Sequence, residues 1–360
     1  MAKKPQALYL DNIETSASFH SAPNVNNIKA SEPSEEKKLS IALKSLDYYK
    51  TLTDNISKTL LLCTTIDDIV FGDRASKLLG CGTKILIDNS GTIISANFCR
   101  QRVCPMCQRR RSLKVCAEFH RIMQYLGCSW LHLVLTVPNC SASELPNLLD
   151  TMQVCASRLF GMEFIKKAFK GIARCTEVTY NKNSDTYHPH FHCLVAVNKS
   201  YFTSRYYVKI EELRRVWTVL VQADQNGIKV KNRNDKWIME QIQGFDPDSE
   251  ILYQCCISKA DEGSIPEVAK YAVKPLDIDL EGFELYEPLH NIFYALHGRR
   301  LIQTYGTVAA AARSLRVDFD TMDDCEADEL PTLDKTNVRY YNWDRLQGKY
   351  IADGHPFKTP

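Results

Sequence analysis

Apolar residues in the first third of the chain follow a helical spacing after an aperiodic start. Between residues 39 and 62, and again between 66 and 79, they recur every three or four positions, which predicts two helices. Residues 1–38 lack this period and contain runs such as Ser-Glu-Pro-Ser-Glu-Glu-Lys-Lys, so we expect a mobile arm there.

From residue 130 onward, strand-like and helical patterns alternate. The predicted strands are residues 131–137, 174–180, 188–197, 227–231 and 251–257, and the predicted helices are 145–159, 210–220 and 292–301. A turn at residues 181–185 makes 174–180 and 188–197 a hairpin. This order predicts an α+β fold whose central antiparallel sheet is flanked by helices, with the 188–197 strand in its middle.

Three histidines alternate along that middle strand. His188, His190 and His192 would point from one face, because a strand has a side-chain period of two. Imidazole is the commonest metal ligand among side chains, so the row predicts a metal site. Glu177 would join it if the hairpin register pairs them, and two imidazoles with a carboxylate suit Mn²⁺ or Mg²⁺. The alternative is a polar strand face that binds no ion, with Glu177 on the surface.

A cysteine cluster precedes the predicted sheet. Cys81 lies before a hairpin with an Asp-Asn-Ser-Gly turn, Cys99 follows that hairpin, and Cys104 and Cys107 form a C-x2-C pair. Four thiolates suit tetrahedral Zn²⁺ in a closed, structural site. The alternative is four unrelated core cysteines.

The net charge of +2 hides two charged segments of opposite sign. Residues 318–329 carry only acidic charges, and we expect residues 316–360 to form an acidic tail. A basic run opens the helix after the cysteine pair, and it consists of Arg109, Arg110, Arg111 and Lys114. Such a run fits contacts to a DNA phosphate backbone, and a solvated helix face explains it equally well.

The cysteines and the hydropathy pattern bear on location. Most of the fourteen cysteines have apolar neighbours, and no secretory or membrane-length apolar run occurs in the sequence. We therefore expect a cytoplasmic protein with free and metal-bound thiols and no membrane partner.

A polar stripe lies on a predicted helix near residue 270. Glu267 and Tyr271 are four positions apart and Lys274 is three further on, so the three side chains share one face. A carboxylate, a phenol and an ammonium group together suit phosphoryl transfer with a tyrosine nucleophile. Exposed helices often mix the same residue types, so the stripe alone leaves both interpretations open.

Four blocks stand in a fixed order along the chain. They are Phe98-Cys-Arg-Gln-Arg-Val-Cys-Pro-Met-Cys-Gln-Arg-Arg-Arg111, Leu133-Val-Leu-Thr-Val-Pro-Asn139, the hairpin with Glu177 and Tyr187-His-Pro-His-Phe-His192, and Glu267-Val-Ala-Lys-Tyr271. Together they resemble the replication initiators of rolling-circle plasmids, the single-tyrosine branch of the HUH endonucleases. The resemblance spans about residues 79–315, so nothing carries over to the arm or the acidic tail.

The resemblance implies a role for each motif. His190 and His192 would be metal ligands, with His188 or Glu177 as the third. Tyr271 would attack a phosphodiester of single-stranded origin DNA, become 5′-phosphotyrosyl and free a 3′-OH. The high pKa of a phenol, rather than the resemblance, suggests that Lys274 assists the phenolate. Glu267 would activate water at termination.

Four regions follow from these observations. They are a mobile arm (1–38), a helical region with a zinc knuckle (39–128), an HUH endonuclease domain (129–315) and the acidic tail (316–360). The implied partners are plasmid origin DNA, a host helicase and a DNA polymerase, and a dimer is left open.

Two other functions stay as alternatives. A relaxase or single-strand transposase of the same superfamily is one, although a separate zinc knuckle before the sheet favours the replication branch. A non-catalytic zinc-knuckle DNA-binding protein is the other, and it predicts no covalent adduct with DNA.

Overall fold

The structure, a computed structural model, describes residues 34–63, 69–244, 253–260, 283–319 and 338–353. Its α-helices in these ranges are α1 (Glu35–Cys63), α2 (Ile69–Gly80), α3 (Pro105–Leu126), α4 (Leu145–Gly161), α5 (Glu163–Ala168), α6 (Ile210–Gln225), α7 (Asp235–Gln243), α8 (Phe283–Leu296) and α9 (Gly306–Ser314). Its strands there are β1 (Lys84–Asp88), β2 (Ile93–Ala96), β3 (Ser129–Thr136), β4 (Phe169–Asn181), β5 (Thr186–Val197), β6 (Cys255–Ala260), β7 (Ile302–Tyr305), β8 (Val338–Asp344) and β9 (Lys349–Ala352).

The chain divides into two compact units. The first comprises Met1–Arg110, Leu280–Tyr286 and Met322–Pro360, and the second comprises Arg111–Asp279 and Glu287–Thr321. Helices α3 and α8 therefore contribute residues to both units.

The first unit combines α1 and α2 with an antiparallel sheet in the strand order β2–β1–β8–β9. Helix α1 buries Leu46, Ile56 and Leu60 along one face, at the spacing that a packed helix requires. Lys50 lies on the same helix, is fully buried, and pairs with Asp54 one turn later. Trp343 of β8 donates its indole N–H to Asp54 Oδ2 at 2.8 Å, which ties the sheet to α1.

The second unit is built on an antiparallel sheet in the strand order β6–β3–β5–β4–β7. The predicted α+β fold is confirmed, and β5, the histidine strand, lies in the centre of this sheet as expected. One sheet face packs against α4 and α6, where Leu133 and Val195 are fully buried. The other face carries Leu194 and Ala196, which pack with the apolar residues of α3 and α9. His190 and His192 share this second face, because they are an even number of positions from Leu194.

Several boundaries differ from the sequence expectations. The predicted strand 227–231 is wrong, because the chain turns at Gly227 (φ +81°) and forms a 3₁₀ turn at Val230–Asn232, with Val230 buried alone. The predicted helix 292–301 begins earlier, at Phe283, and ends at Leu296, just before Gly298 (φ +71°).

Structured residues also lie within the region expected to be an acidic tail. Strands β8 and β9 occupy Val338–Asp344 and Lys349–Ala352, and β8 pairs with β1. Strand β1 lies far upstream, so no local pattern indicates its pairing with β8, whereas β9 pairs with its neighbour β8. Residues 320–337, including most of the acidic run, are outside the described residues, as are residues 1–33 of the expected arm. None of the described helices is both long and apolar enough to span a membrane.

Candidate functional site

Glu177, His190 and His192 converge on one point of the second sheet. The register of β4 and β5 places Glu177 opposite His190. The Nε2 atoms of His190 and His192 lie 2.5 Å and 3.1 Å from the same Glu177 oxygen, Oε2. Glu177 is 3% exposed, and the two histidines are 9% and 6% exposed. Two imidazoles and a carboxylate, held on paired strands, thus form a compact set of metal-ligating groups.

The charges of these groups are coupled. Burial disfavours the Glu177 carboxylate, but hydrogen bonds from His190 and His192 outweigh that effect and hold its pKa below the usual value. Burial also opposes a charged His190, but the bond to Glu177 outweighs it and raises the pKa of His190. The carboxylate therefore stays ionised inside the fold, as a ligand for a divalent cation must.

His188 contributes its backbone to this centre. Its carbonyl oxygen lies 3.1 Å from His190 Nδ1, which fits an Nδ1–H donor and leaves His190 Nε2 directed at Glu177. The His188 ring is half-buried, and burial lowers its pKa. Within the described residues, the structure groups Glu177, and not the His188 ring, with the other two histidines.

A fourth histidine, His132 on β3, was missed by sequence reasoning. Its Nε2 lies 3.1 Å from His192 Nδ1, and the two rings stack with centroids 5.4 Å apart. His132 is 9% exposed. The alternation along β3 indicates which face it occupies, but the sequence does not say which strand lies beside β3.

The four predicted cysteines also come together, in the first unit. The Sγ atom of Cys81 lies 3.4 Å from that of Cys104 and 3.6 Å from that of Cys107, and Cys99 Sγ lies 3.7 Å from Cys107 Sγ. A tetrahedral Zn²⁺ with Zn–S bonds of about 2.3 Å requires sulfur separations of about 3.8 Å, so the cluster fits a closed zinc site.

The backbone and the shared thiol contacts support the same interpretation. The N–H of Cys99 donates to Cys81 Sγ at 3.3 Å, and the N–H of Arg100 (φ +59°) donates to Cys107 Sγ at 3.2 Å. Hydrogen bonds within the cluster lower the pKa of Cys99, and the bond with Cys104 has the largest effect. Burial raises the pKa of Cys104. Four thiolates this close repel one another, and a divalent cation offsets that repulsion.

The basic run after the cluster is more packed than a free surface patch. Arg109 lies over the Tyr49 ring at 5.7 Å and donates to Ser45 Oγ at 3.2 Å. Arg110 lies 4.7 Å from the Phe98 ring. The other two members lie further along α3, where Arg111 is buried and Lys114 is half-buried. Part of the run therefore stabilises the region around the cysteine cluster.

The predicted nucleophile and its two neighbours belong to a segment that the structure does not describe. Tyr271, Glu267 and Lys274 all lie in residues 261–282, outside the described residues.

Known proteins resemble the chain over most of its length. Residues 90–351 match a family model described as Replication protein. The chain is 30% identical over 288 residues to "Protein rep" of Bacillus amyloliquefaciens, covering 76% of this chain and 80% of that protein. It is 33% identical over 215 residues to "Protein rep" of Streptococcus pneumoniae serotype 2, covering 58% and 61%. No solved structure matches.

Proposed function

The chain belongs to the replication protein family of rolling-circle plasmid initiators, and on that premise we propose that it nicks and rejoins plasmid origin DNA through a covalent tyrosyl intermediate. The observation that supports this chemistry best is the convergence of Glu177, His190 and His192. A buried carboxylate is costly unless charged or hydrogen-bonding groups compensate it, and a carboxylate shared by two imidazoles suits a divalent ion.

These three side chains are the proposed ligands of a catalytic Mn²⁺ or Mg²⁺, with Glu177 as the third ligand in preference to His188. The ion supplies stabilisation of the charge that develops on the scissile phosphate. The chain's own part is to fix the ligand atoms. His188 does so through its carbonyl oxygen on His190, and His132 does so through its bond to His192.

Tyr271 is the proposed nucleophile. An ordinary tyrosine has a pKa of about 10, so the phenol has to lose its proton with assistance, and Lys274 is the proposed stabiliser of the phenolate. The phenolate oxygen bonds to phosphorus, the bond from phosphorus to the 3′-oxygen breaks, and that oxygen takes a proton to give a free 3′-OH. Attack by a DNA 3′-OH reverses this step and rejoins the strand. To end the reaction, Glu267 takes a proton from a water whose oxygen bonds to phosphorus, and the bond from phosphorus to the Tyr271 oxygen breaks, which restores the phenol and leaves a 5′-phosphate on the DNA.

The first unit carries the proposed structural role. Cys81, Cys99, Cys104 and Cys107 hold Zn²⁺, and the partly exposed members of the neighbouring basic run contact DNA phosphates. The proposed partners are the plasmid origin, single-stranded at the nick site, and the host helicase and polymerase that use the freed 3′-OH.

The test is a nicking assay on single-stranded oligonucleotides that tile the encoding plasmid, with Mn²⁺, resolved on a denaturing gel. We expect the wild type to cut one oligonucleotide, Tyr271→Phe to cut none, and the matched control Tyr125→Phe, at an exposed tyrosine of α3, to cut as the wild type does. Equal cutting by wild type and Tyr271→Phe contradicts the tyrosine mechanism. Tight DNA binding without any cutting favours a non-catalytic DNA-binding protein instead.

A further inference from the structure

Exposed aromatic side chains are concentrated in the segment between β5 and α6, here called the aromatic loop (residues 198–209). Phe202 is 55% exposed, Tyr206 38% and Tyr207 46%. The other exposed aromatic side chains among the described residues are dispersed, at Tyr48, Tyr125, Tyr294 and Tyr340. Three exposed rings within six positions form an unusually aromatic patch for a solvent-exposed surface.

The loop is anchored rather than loose. Tyr201 is 2% exposed, and its ring contacts those of Phe169 at 6.1 Å, Phe202 at 5.2 Å and Tyr207 at 5.3 Å. Its backbone is closed by bonds from Ser204 N to Tyr201 O at 3.1 Å and from Tyr207 N to Ser204 O at 3.0 Å. The exposed rings are therefore held in place before any ligand arrives, which reduces the entropy cost of binding.

The charge of the loop is entirely basic. Lys199, Arg205 and Lys209 are exposed, and no Asp or Glu occurs between Asp185 and Glu211. The Arg205 guanidinium lies 4.8 Å from the Tyr206 ring and donates to its hydroxyl at 2.6 Å. The nearest acidic side chains along the chain, Glu211 and its neighbour Glu212, belong to the first turn of α6.

We propose that the aromatic loop binds unpaired nucleotides of single-stranded DNA, as a contact separate from the metal centre; this rests on the proposed function. Basic side chains neutralise phosphates, and flat aromatic faces stack on bases of any sequence. A duplex keeps its bases stacked internally, so rings exposed this way recognise a single strand. Aromatic and Arg residues also suit a protein interface, but a loop without acidic residues matches a polyanion better.

The metal centre lies near the middle of β5, and the loop follows the end of that strand. His190 and His192 are seven and five residues from Val197, which is about 23 Å and about 17 Å at strand rise. The loop therefore contacts nucleotides several positions away from the scissile phosphate, and its loss weakens DNA binding without altering the chemical step.

The experiment measures fluorescence anisotropy of labelled oligo(dT) with the full-length protein. The double variant Phe202→Ala/Tyr207→Ala removes two rings, and Tyr125→Ala, at another exposed tyrosine of the same unit, is the matched control. We expect the double variant to bind oligo(dT) at least about fivefold more weakly, because stacking of each base contributes on the order of 1–3 kcal/mol. The control and the affinity for a duplex of the same length stay within twofold.

The salt dependence of DNA affinity and the kinetics of nicking provide further readouts. Lys199→Gln/Arg205→Gln/Lys209→Gln lowers the slope of log affinity against log salt by up to about 0.7 for each phosphate that the variant no longer neutralises. Nicking at saturating DNA keeps its kcat in the double variant while KM rises. If the double ring variant and the triple charge variant both bind oligo(dT) as the wild type does, the proposal is overturned. This holds even if these variants lose binding to a replication protein. Failure of the wild type to nick any strand contradicts the proposed function instead, so the two failures are distinguishable.

Discussion

Replacing His132 provides a sharp probe of the metal centre, because this side chain touches a proposed ligand without being one. His132→Phe keeps a flat ring beside His192, where the rings stack 5.4 Å apart, but removes the nitrogen that lies 3.1 Å from His192 Nδ1. Outer-sphere partners of metal-ligating histidines typically contribute about 10–100-fold in affinity. We therefore expect Mn²⁺ to bind His132→Phe with a free energy weaker by roughly 1.4–2.8 kcal/mol.

The assay is calorimetric titration of zinc-loaded protein with Mn²⁺. His132→Gln should recover part of the affinity, because its amide oxygen accepts the His192 N–H, whereas the exposed control His297→Phe should bind as the wild type does. Thermal unfolding of each variant without Mn²⁺ separates loss of positioning from loss of fold. Wild-type affinity in His132→Phe, or equal losses in the Phe and Gln variants, would refute the reasoning.

Three further predictions concern the two metal sites and the backbone. Glu177→Gln removes the only negative charge of its trio, so Mn²⁺ affinity should fall further than in His132→Phe, by on the order of 100-fold or more in the same titration; a smaller loss contradicts a ligand role. Cys104→Ser should lower bound zinc, measured by atomic absorption, from one equivalent towards none, and unchanged zinc refutes the cysteine site. Gly306→Ala should destabilise the fold more than Gly298→Ala in chemical denaturation. Both glycines have positive φ, but of the two only Gly306 lies so close to Lys170 O that an added Cβ would clash with it; equal losses of stability contradict this clash.

The sequence was informative where chemistry follows a local period. The alternation of histidines in β5 gave their shared face, and the C-x2-C pair gave half of the cysteine cluster. Glu177 was predictable only as a condition on register, because which residues of two strands face each other depends on where the hairpin turns. His132 depended on β3 lying beside β5, which is a long-range pairing that no local pattern encodes.

The same limit explains the errors. Residues 227–231 alternate like a strand, but the chain turns at Gly227 and continues into a 3₁₀ turn at Val230–Asn232. Val230 is the only fully buried side chain of this segment. Strands β8 and β9 each bury a single residue, so they lack an apolar alternation. Strand β8 pairs with the distant β1, and β9 pairs with β8. The role of the tyrosine stripe stays a prediction that depends on the family resemblance, because its residue types alone are ordinary for an exposed helix.

The covalent tyrosyl intermediate is tested most directly by mass spectrometry. The protein is first incubated with a cleavable single-stranded origin oligonucleotide and Mn²⁺, and it is then digested with nuclease and trypsin. We expect a nucleotide joined through its 5′-phosphate to the peptide containing Tyr271, formed by the wild type and lost without Mn²⁺ or in Glu177→Gln. Cut DNA with no such adduct, or with the nucleotide on another residue, would contradict the tyrosyl intermediate.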